Sequence, residues 1–103
     1  MIFAFHGYPT LVHRLAYRRT NHANFHVHGF KEEGTTATPF DMLVRNELDR
    51  FHLALNAISR LPRLGRAGAT ATRELHARLK APARFVREHG DDMPMIRDWK
   101  WQP

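Results

Sequence analysis

Short apolar segments near the start of the chain predict two strands with a helix between them. The continuous apolar run Ile2–Phe5 is typical of a strand that is covered on both faces, as in a parallel sheet. The segment Phe25–Phe30 alternates with a period of two, which predicts a second strand. Between them, Pro9 favours the start of a helix that runs to about Arg18. We therefore predict a parallel β-α-β unit over residues 2–30.

A long amphipathic helix is predicted next, from Pro39 to about Arg60. Thr38 is suited to cap its first turn, and Asp41 supplies the acidic residue of that turn. Apolar residues then recur at spacings of four and three, which is the pattern of one helix face. They are Phe40, Val44, Leu48, Phe51, Leu55 and Ile58.

The rest of the chain predicts a third helix and a tail. Proline and glycine in the segment Leu61–Gly68 predict a break after the second helix. The third helix is expected over about residues 70–89, with a kink or interruption at Pro82 and a stop at Gly90. Residues 91–103 contain both tryptophans of the chain, so we expect this tail to dock on the remainder.

Two predicted strands are too few for a complete sheet. A fully apolar strand beginning at residue 2 requires neighbours on both edges and helices on both faces, and an isolated two-stranded sheet is marginal in water. The sequence therefore predicts a partial α/β fold, in which a β-α-β unit is followed by two or three helices and the sheet is incomplete. We expect the isolated chain to expose apolar surface and a strand edge, and so to self-associate.

Composition favours one globular unit with a basic surface. The 103 residues are 43% hydrophobic and 25% charged, which is not the composition of a disordered chain. No apolar run reaches the roughly 20 residues of a membrane span, and Ile2–Phe5 is too short for a signal-peptide core, so the expected location is the cytoplasm. There is no cysteine, which excludes disulfides and thiolate chemistry. The net charge of +6 favours acidic partners such as nucleic acid, phosphorylated metabolites or an acidic protein.

Two histidines of the second predicted strand are candidates for metal ligands. His26 and His28 alternate along the strand, so their side chains share one face. With His22 or His6 nearby, their imidazole nitrogens suit a divalent metal. No third ligand stands at a fixed spacing, however, and the interpretation that we favour is a pair of polar residues at a sheet end or an interface.

A candidate anion site precedes the second helix. Lys31 and the small residues after it lie before the Thr38 cap, where free N–H groups and the helix dipole favour phosphate. The small residues are Gly34, Thr35 and Thr36. The segment contains no Gly-Lys-Ser/Thr triplet, so it is not a P-loop. We favour Thr38 as an ordinary helix cap.

Two groups of arginines are candidate contacts for nucleic acid. Arg14, Arg18 and Arg19 are interleaved with Tyr17 and lie near His22. No recognised nucleic-acid fold accompanies either group, so solvated or interdomain faces are the favoured interpretation. The second group consists of Arg60, Arg63, Arg66, Arg73, Arg78, Arg84 and Arg87.

The remaining candidates for chemistry are weak. Glu32 and Glu33 are adjacent, so on an extended chain they point apart and do not suit an acid/base pair. Ser59 is the only serine and has no nucleophile-elbow context. Trp99 and Trp101 are expected to anchor the tail rather than to stack a ligand. We therefore assign no catalytic, cofactor-binding or metal-binding residue.

Seven segments carry a specific resemblance that covers nearly all of the chain. They are Phe5–Pro9, His13–Leu15 with Tyr17–His22, Gly29–Met42, Asn46–Leu53, Arg87–Asp92 and Ile96–Trp99. Together they resemble the C-terminal end of bacterial phosphoketolases. The resemblance is loose from about residue 61 to 83, where Pro82 and the Arg/Gly-rich stretch before it depart from the long helix of that family.

The resemblance implies a large parent enzyme. Phosphoketolases are thiamine-diphosphate-dependent aldehyde-lyases related to transketolase. With magnesium and inorganic phosphate they cleave xylulose 5-phosphate or fructose 6-phosphate into acetyl phosphate and a shorter sugar phosphate. Two cofactor-binding domains hold the cofactor and the sugar between them at a dimer interface. A smaller α/β C-terminal domain follows, and residues 1–103 correspond to its second half.

The resemblance therefore predicts a C-terminal phosphoketolase fragment with a structural and interface role. Its partners are expected to be the remaining domains and the dimer partner, with no membrane and no nucleic acid. No position matches a catalytic or thiamine-binding motif of the family, so we expect no cofactor on this chain and no activity from it alone. The alternative is an independent basic module that binds nucleic acid or anionic metabolites.

Overall fold

A computed structural model of the protein describes residues 1–31 and 37–102. Short 3-10 turns lie before β2 and before α4, at His22–Asn24 and Pro62–Leu64. No helix within the described ranges combines the length and the apolar character that crossing a bilayer requires. In chain order the strands and α-helices are β1 (Ile2–Phe5), α1 (Pro9–Ala16), β2 (His26–Gly29), α2 (Pro39–Arg45), α3 (Arg50–Ser59), α4 (Gly65–His89) and α5 (Pro94–Arg97).

The two strands pair in parallel, with α1 as the connection between them. Ile2 lies opposite His26, and Phe5 lies opposite Gly29. α1 packs against β2. The predicted parallel β-α-β unit is thereby confirmed. Across the described residues the sheet is two strands wide, so the predicted incomplete α/β fold is confirmed as well.

Gly29 sets how closely β2 approaches the start of α1. A Cβ atom at Gly29 would lie 2.3 Å from the carbonyl oxygen of Gly7 and 2.4 Å from Cδ of Pro9. Backbone and a proline ring yield little, so we expect Gly29→Ala to lower the free energy of unfolding by about 1–3 kcal/mol through overpacking. Urea unfolding measures this as a lower midpoint. An unchanged midpoint would contradict the close approach.

The single helix predicted over residues 39–60 is two helices, so that prediction is wrong between Asn46 and Asp49. Glu47 adopts a left-handed conformation with φ of 55°. The side chain of Asn46 donates to the carbonyl oxygen of Met42 at 2.9 Å, which satisfies a terminal carbonyl of α2. Short polar side chains compete with the helical backbone for hydrogen bonds. Asn46 and Asp49 do so here, and the chain turns between α2 and α3.

α4 begins earlier than predicted, at Gly65, and runs to His89. The break expected across Leu61–Gly68 is therefore confined to the residues before Gly65. No interruption occurs at Pro82, whose buried ring offsets part of the lost hydrogen bond. The predicted stop at Gly90 is confirmed, because this residue has φ of 67° and its N–H closes the last helical turn.

The hydrophobic core of the described residues lies among the helices rather than on the sheet. Phe40 of α2, Phe51 of α3 and Ile96 of α5 are buried together. The rings of Phe40 and Phe51 meet edge to face, with centroids 6.3 Å apart. α5 belongs to the predicted tail, which therefore docks through Ile96. Partly buried side chains complete the cluster, namely Val44, Leu75, Leu79 and Met93.

Candidate functional site

The start of α2, predicted as a cap or an anion site, holds a carboxylate from the tail. Thr38 accepts a hydrogen bond from the N–H of Asp41 at 3.3 Å, which confirms it as the cap. Its hydroxyl donates to Oδ1 of Asp92 at 2.5 Å, and the N–H of Phe40 donates to Oδ2 of Asp92 at 3.1 Å. The place that an external anion would take is therefore filled by the chain's own Asp92.

Lys31, another part of the predicted anion site, pairs with Asn46 at the end of α2. The N–H of Lys31 donates to Oδ1 of Asn46 at 2.9 Å, and its carbonyl oxygen accepts from Nδ2 of Asn46 at 3.3 Å. This pair ties the end of the β2 segment to the end of α2. The remaining candidates of this stretch lie outside the described residues, namely Glu32, Glu33, Gly34, Thr35 and Thr36.

The contact between Asp92 and the start of α2 predicts a stability effect. Asp92→Ala removes the acceptor for the Thr38 hydroxyl and for the buried N–H of Phe40. We expect a loss of about 1–3 kcal/mol in the free energy of unfolding, because each donor loses its partner. Asp98→Ala is the matched control, since Asp98 is exposed and pairs with the exposed Arg97. Equal urea midpoints for the two variants would contradict the assigned role of Asp92.

A buried Asp–His pair lies at the start of α3, where sequence analysis assigned no functional residue. Asp49 is 2% exposed. Its Oδ1 accepts hydrogen bonds from the N–H groups of Phe51 at 2.9 Å and His52 at 3.2 Å, and its Oδ2 contacts Nδ1 of His52. An aspartate directly before an amphipathic run is a signal for a helix cap. Because one continuous helix was predicted over this region, Asp49 was not recognised as the start of a second helix.

In the Asp49–His52 pair the carboxylate contacts the imidazole, as the Asp does the His in a Ser-His-Asp triad. Among the residues that the structure describes, no nucleophile completes such a triad. The hydroxyl of Ser59, the only serine, donates to the carbonyl oxygen of Asn56 at 2.7 Å within α3. The pair therefore acts as a helix cap with an added side-chain contact.

Three of the four histidines considered as metal ligands make separate contacts. Among residues 1–31 and 37–102, no three His, Asp or Glu side chains form a group that suits a metal ion. His28 contacts a side chain of α3, which fits the interpretation of this histidine as a polar residue at an interface. The contacts are His28 Nε2 with Asn56 Nδ2 at 2.9 Å, His6 stacked on Phe30 with ring centroids 4.4 Å apart, and His22 Nδ1 with the carbonyl oxygen of Arg19 at 3.2 Å.

The arginines proposed for nucleic acid include several that are paired within their own helix. Exposed pairs four residues apart contribute at most about 0.5 kcal/mol each, but they neutralise charge that a phosphate backbone would need. The Arg18 guanidinium lies over the Tyr17 ring at 5.3 Å. On α4 the pairs are Arg78 with Glu74 at 2.6 Å and Arg84 with Glu88 at 2.9 Å.

The tryptophans contribute unequally to docking of the tail. The guanidinium of Arg50 lies 4.7 Å from the ring centroids of both Trp99 and Phe51, and so links the tail to the core. Trp101 is 74% exposed. The prediction that both tryptophans anchor the tail is therefore wrong for Trp101, because Ile96 and Asp92 provide the buried contacts.

Comparison with known proteins gives consistent matches along the chain. The family described as "XFP C-terminal domain" matches residues 1–101. A "Probable phosphoketolase" of Bradyrhizobium diazoefficiens is 61% identical over 101 residues, which is 98% of this chain and 13% of that protein. Proteins of the same name from Gloeobacter violaceus and Nitrosomonas europaea are 59% and 57% identical over the same share of each chain.

These matches place the two-stranded α/β unit among C-terminal domains of larger proteins. The chain belongs to the XFP C-terminal domain family, which is the C-terminal region of phosphoketolases. It spans 13% of the length of the curated relatives named above. The resemblance found in the sequence is confirmed, and the matches do not support the alternative of an independent basic module.

Proposed function

We propose that this chain is a structural and interface part of a phosphoketolase and is inactive alone. The observation that carries the proposal is the difference in coverage, since the chain aligns over 98% of its own length but over 13% of its relative. The parent enzyme would cleave xylulose 5-phosphate or fructose 6-phosphate with phosphate, using thiamine diphosphate and magnesium held by its remaining domains. A cytoplasmic location is part of the same proposal.

The exposed apolar surface supports this role. Tyr8, the residue before α1, lies at helical spacing with Leu11 and Leu15 of α1, and all three are exposed. We call them the α1 apolar face. Apolar side chains concentrated on one helix face favour burial against another surface, which we propose to be the rest of the parent enzyme or, in the isolated chain, a second copy.

The catalytic part of the proposal is tested by an assay of the purified chain. Xylulose 5-phosphate, inorganic phosphate, magnesium and thiamine diphosphate are supplied, and acetyl phosphate is measured. We expect no turnover above the rate without protein. Turnover that follows the chain through purification would overturn the proposed inactivity.

The interface part is tested with a phosphoketolase truncated before the matched region. We expect the chain to bind the truncated enzyme and Leu11→Asp to weaken that binding at least about tenfold, because a charge would be buried in an apolar contact. Thr10→Asp is the matched control, since Thr10 is the exposed neighbour outside the α1 apolar face. Equal binding by both variants would remove this face from the interface. Without the truncated enzyme, we expect elution above the monomer mass.

A further inference from the structure

A cleft of about 490 Å³ lies at the amino end of the two strands, between the sheet and the end of α3. Its apolar lining comes from Ile2 of β1, Ala57 of α3 and Leu61 after α3. His26, the first residue of β2, and Arg60, the residue that follows α3, provide its charged and titratable side chains. The cleft therefore combines an apolar floor with two nitrogen-rich side chains that can donate hydrogen bonds.

Arg60 is held in place from one side. Its Nε donates to Oδ1 of Asn56 at 2.7 Å, and Nδ2 of the same Asn56 contacts His28 at 2.9 Å. This chain of hydrogen bonds joins the end of α3 to β2. Among the contacts of the described residues, the guanidinium makes no ion pair. Its fork of terminal N–H groups is thus available for an oxyanion.

The charged groups around His26 are positive. Burial lowers the pKa of His26 below its ordinary value, and the Arg60 guanidinium, the amino-terminal ammonium group and His28 lower it further. No carboxylate lines the cleft in the part of the chain that the structure describes. Positive groups repel the proton on His26, so an anion placed between His26 and Arg60 would favour the protonated imidazole.

We propose that this cleft binds a small dianionic oxyanion, of the phosphate or phosphate-monoester class, between Arg60 and His26. A dianion can pair with the guanidinium and also favour protonation of the imidazole, whereas a monocarboxylate carries only the charge that pairs with the guanidinium. The site goes beyond the proposed function and does not depend on it, because it is built from residues of this chain alone.

The test is a titration of His26 in the full 103-residue chain by proton–carbon NMR of its imidazole. The pKa is measured in inorganic phosphate and in chloride at equal ionic strength, which separates binding from screening. We expect phosphate to raise the pKa of His26 by at least about half a unit, because the bound dianion stabilises the charged ring. Acetate at equal ionic strength is expected to give a smaller increase.

The Arg60→Gln variant is expected to lose the difference between phosphate and chloride. Arg63→Gln is the matched control, because Arg63 is exposed, nearby and outside the cleft lining, and it is expected to keep the full difference. The proposal is overturned if phosphate and chloride give the same pKa in the unmodified chain, or if the phosphate effect persists in Arg60→Gln. Acetate as effective as phosphate would overturn the dianion assignment.

Discussion

Phe51→Ala is expected to lower the free energy of unfolding by about 3–5 kcal/mol, which is the cost of truncating a buried phenylalanine. Phe51 is 6% exposed and packs with Phe40 and Ile96 in the small helical core. It also lies under the guanidinium of Arg50, with 4.7 Å between that group and the ring centroid. The buried cluster of the described residues has only three members, so Phe51 supplies a large share of its apolar burial.

The measurement for Phe51 is urea unfolding at one protein concentration, because self-association would otherwise change the midpoint. Tyr17→Ala is the control. Tyr17 is 59% exposed and lies outside the α1 apolar face, so we expect a change within about 0.5 kcal/mol. If both variants lost similar stability, the core would not lie among the helices as described. Phe51→Leu is expected to lose less, because it keeps part of the buried volume.

Asp49→Ala is expected to cost about 2–4 kcal/mol, the second largest effect. The substitution removes a helix cap, and it leaves the buried N–H groups of Phe51 and His52 without their acceptor. It also removes the carboxylate that contacts the imidazole of His52. All three contacts are lost together because they depend on one side chain.

Asp49→Asn separates the two roles of this residue. Asparagine caps helices about as well as aspartate, so the backbone acceptor is kept while the charge beside His52 is lost. We expect Asp49→Asn to lose clearly less stability than Asp49→Ala in thermal or urea unfolding. Glu74→Gln, which breaks an exposed pair on α4, serves as the control and should change stability by less than about 0.5 kcal/mol. An Asn variant as unstable as the Ala variant would show that the charge dominates.

Local signals in the sequence predicted those elements whose stabilising groups are close together in the chain. The apolar run Ile2–Phe5 and the alternation of Phe25–Phe30 predicted the paired strands, since side-chain direction follows directly from backbone geometry. Thr38 and Gly90 predicted a helix start and a helix end, because a cap depends on neighbouring residues. The motif segments further identified the family, which the comparisons confirm.

The features that sequence analysis missed depend on competition between interactions of similar strength. The apolar spacing over residues 39–60 is compatible with one helix, but the polar side chains of Asn46 and Asp49 stabilise a turn in the middle of it. Pro82 costs a helical hydrogen bond and yet lies inside α4. At Pro82 the local cost of about 3 kcal/mol is overridden by the packing of the helix, whereas between α2 and α3 local polar contacts override the helical periodicity.

The sequence by itself determined the strand and helix types, the incomplete sheet and the family, because these follow from periodicity, turn chemistry and motif order. Only the tertiary structure decided which carboxylate occupies the start of α2, which polar residue is most buried, and that His26 and Arg60 share a cleft. Asp92 lies 54 residues from Thr38 in the chain, and Arg60 approaches His26 only after α3 folds back over β2. Such contacts are set by packing between elements, which a local pattern does not encode.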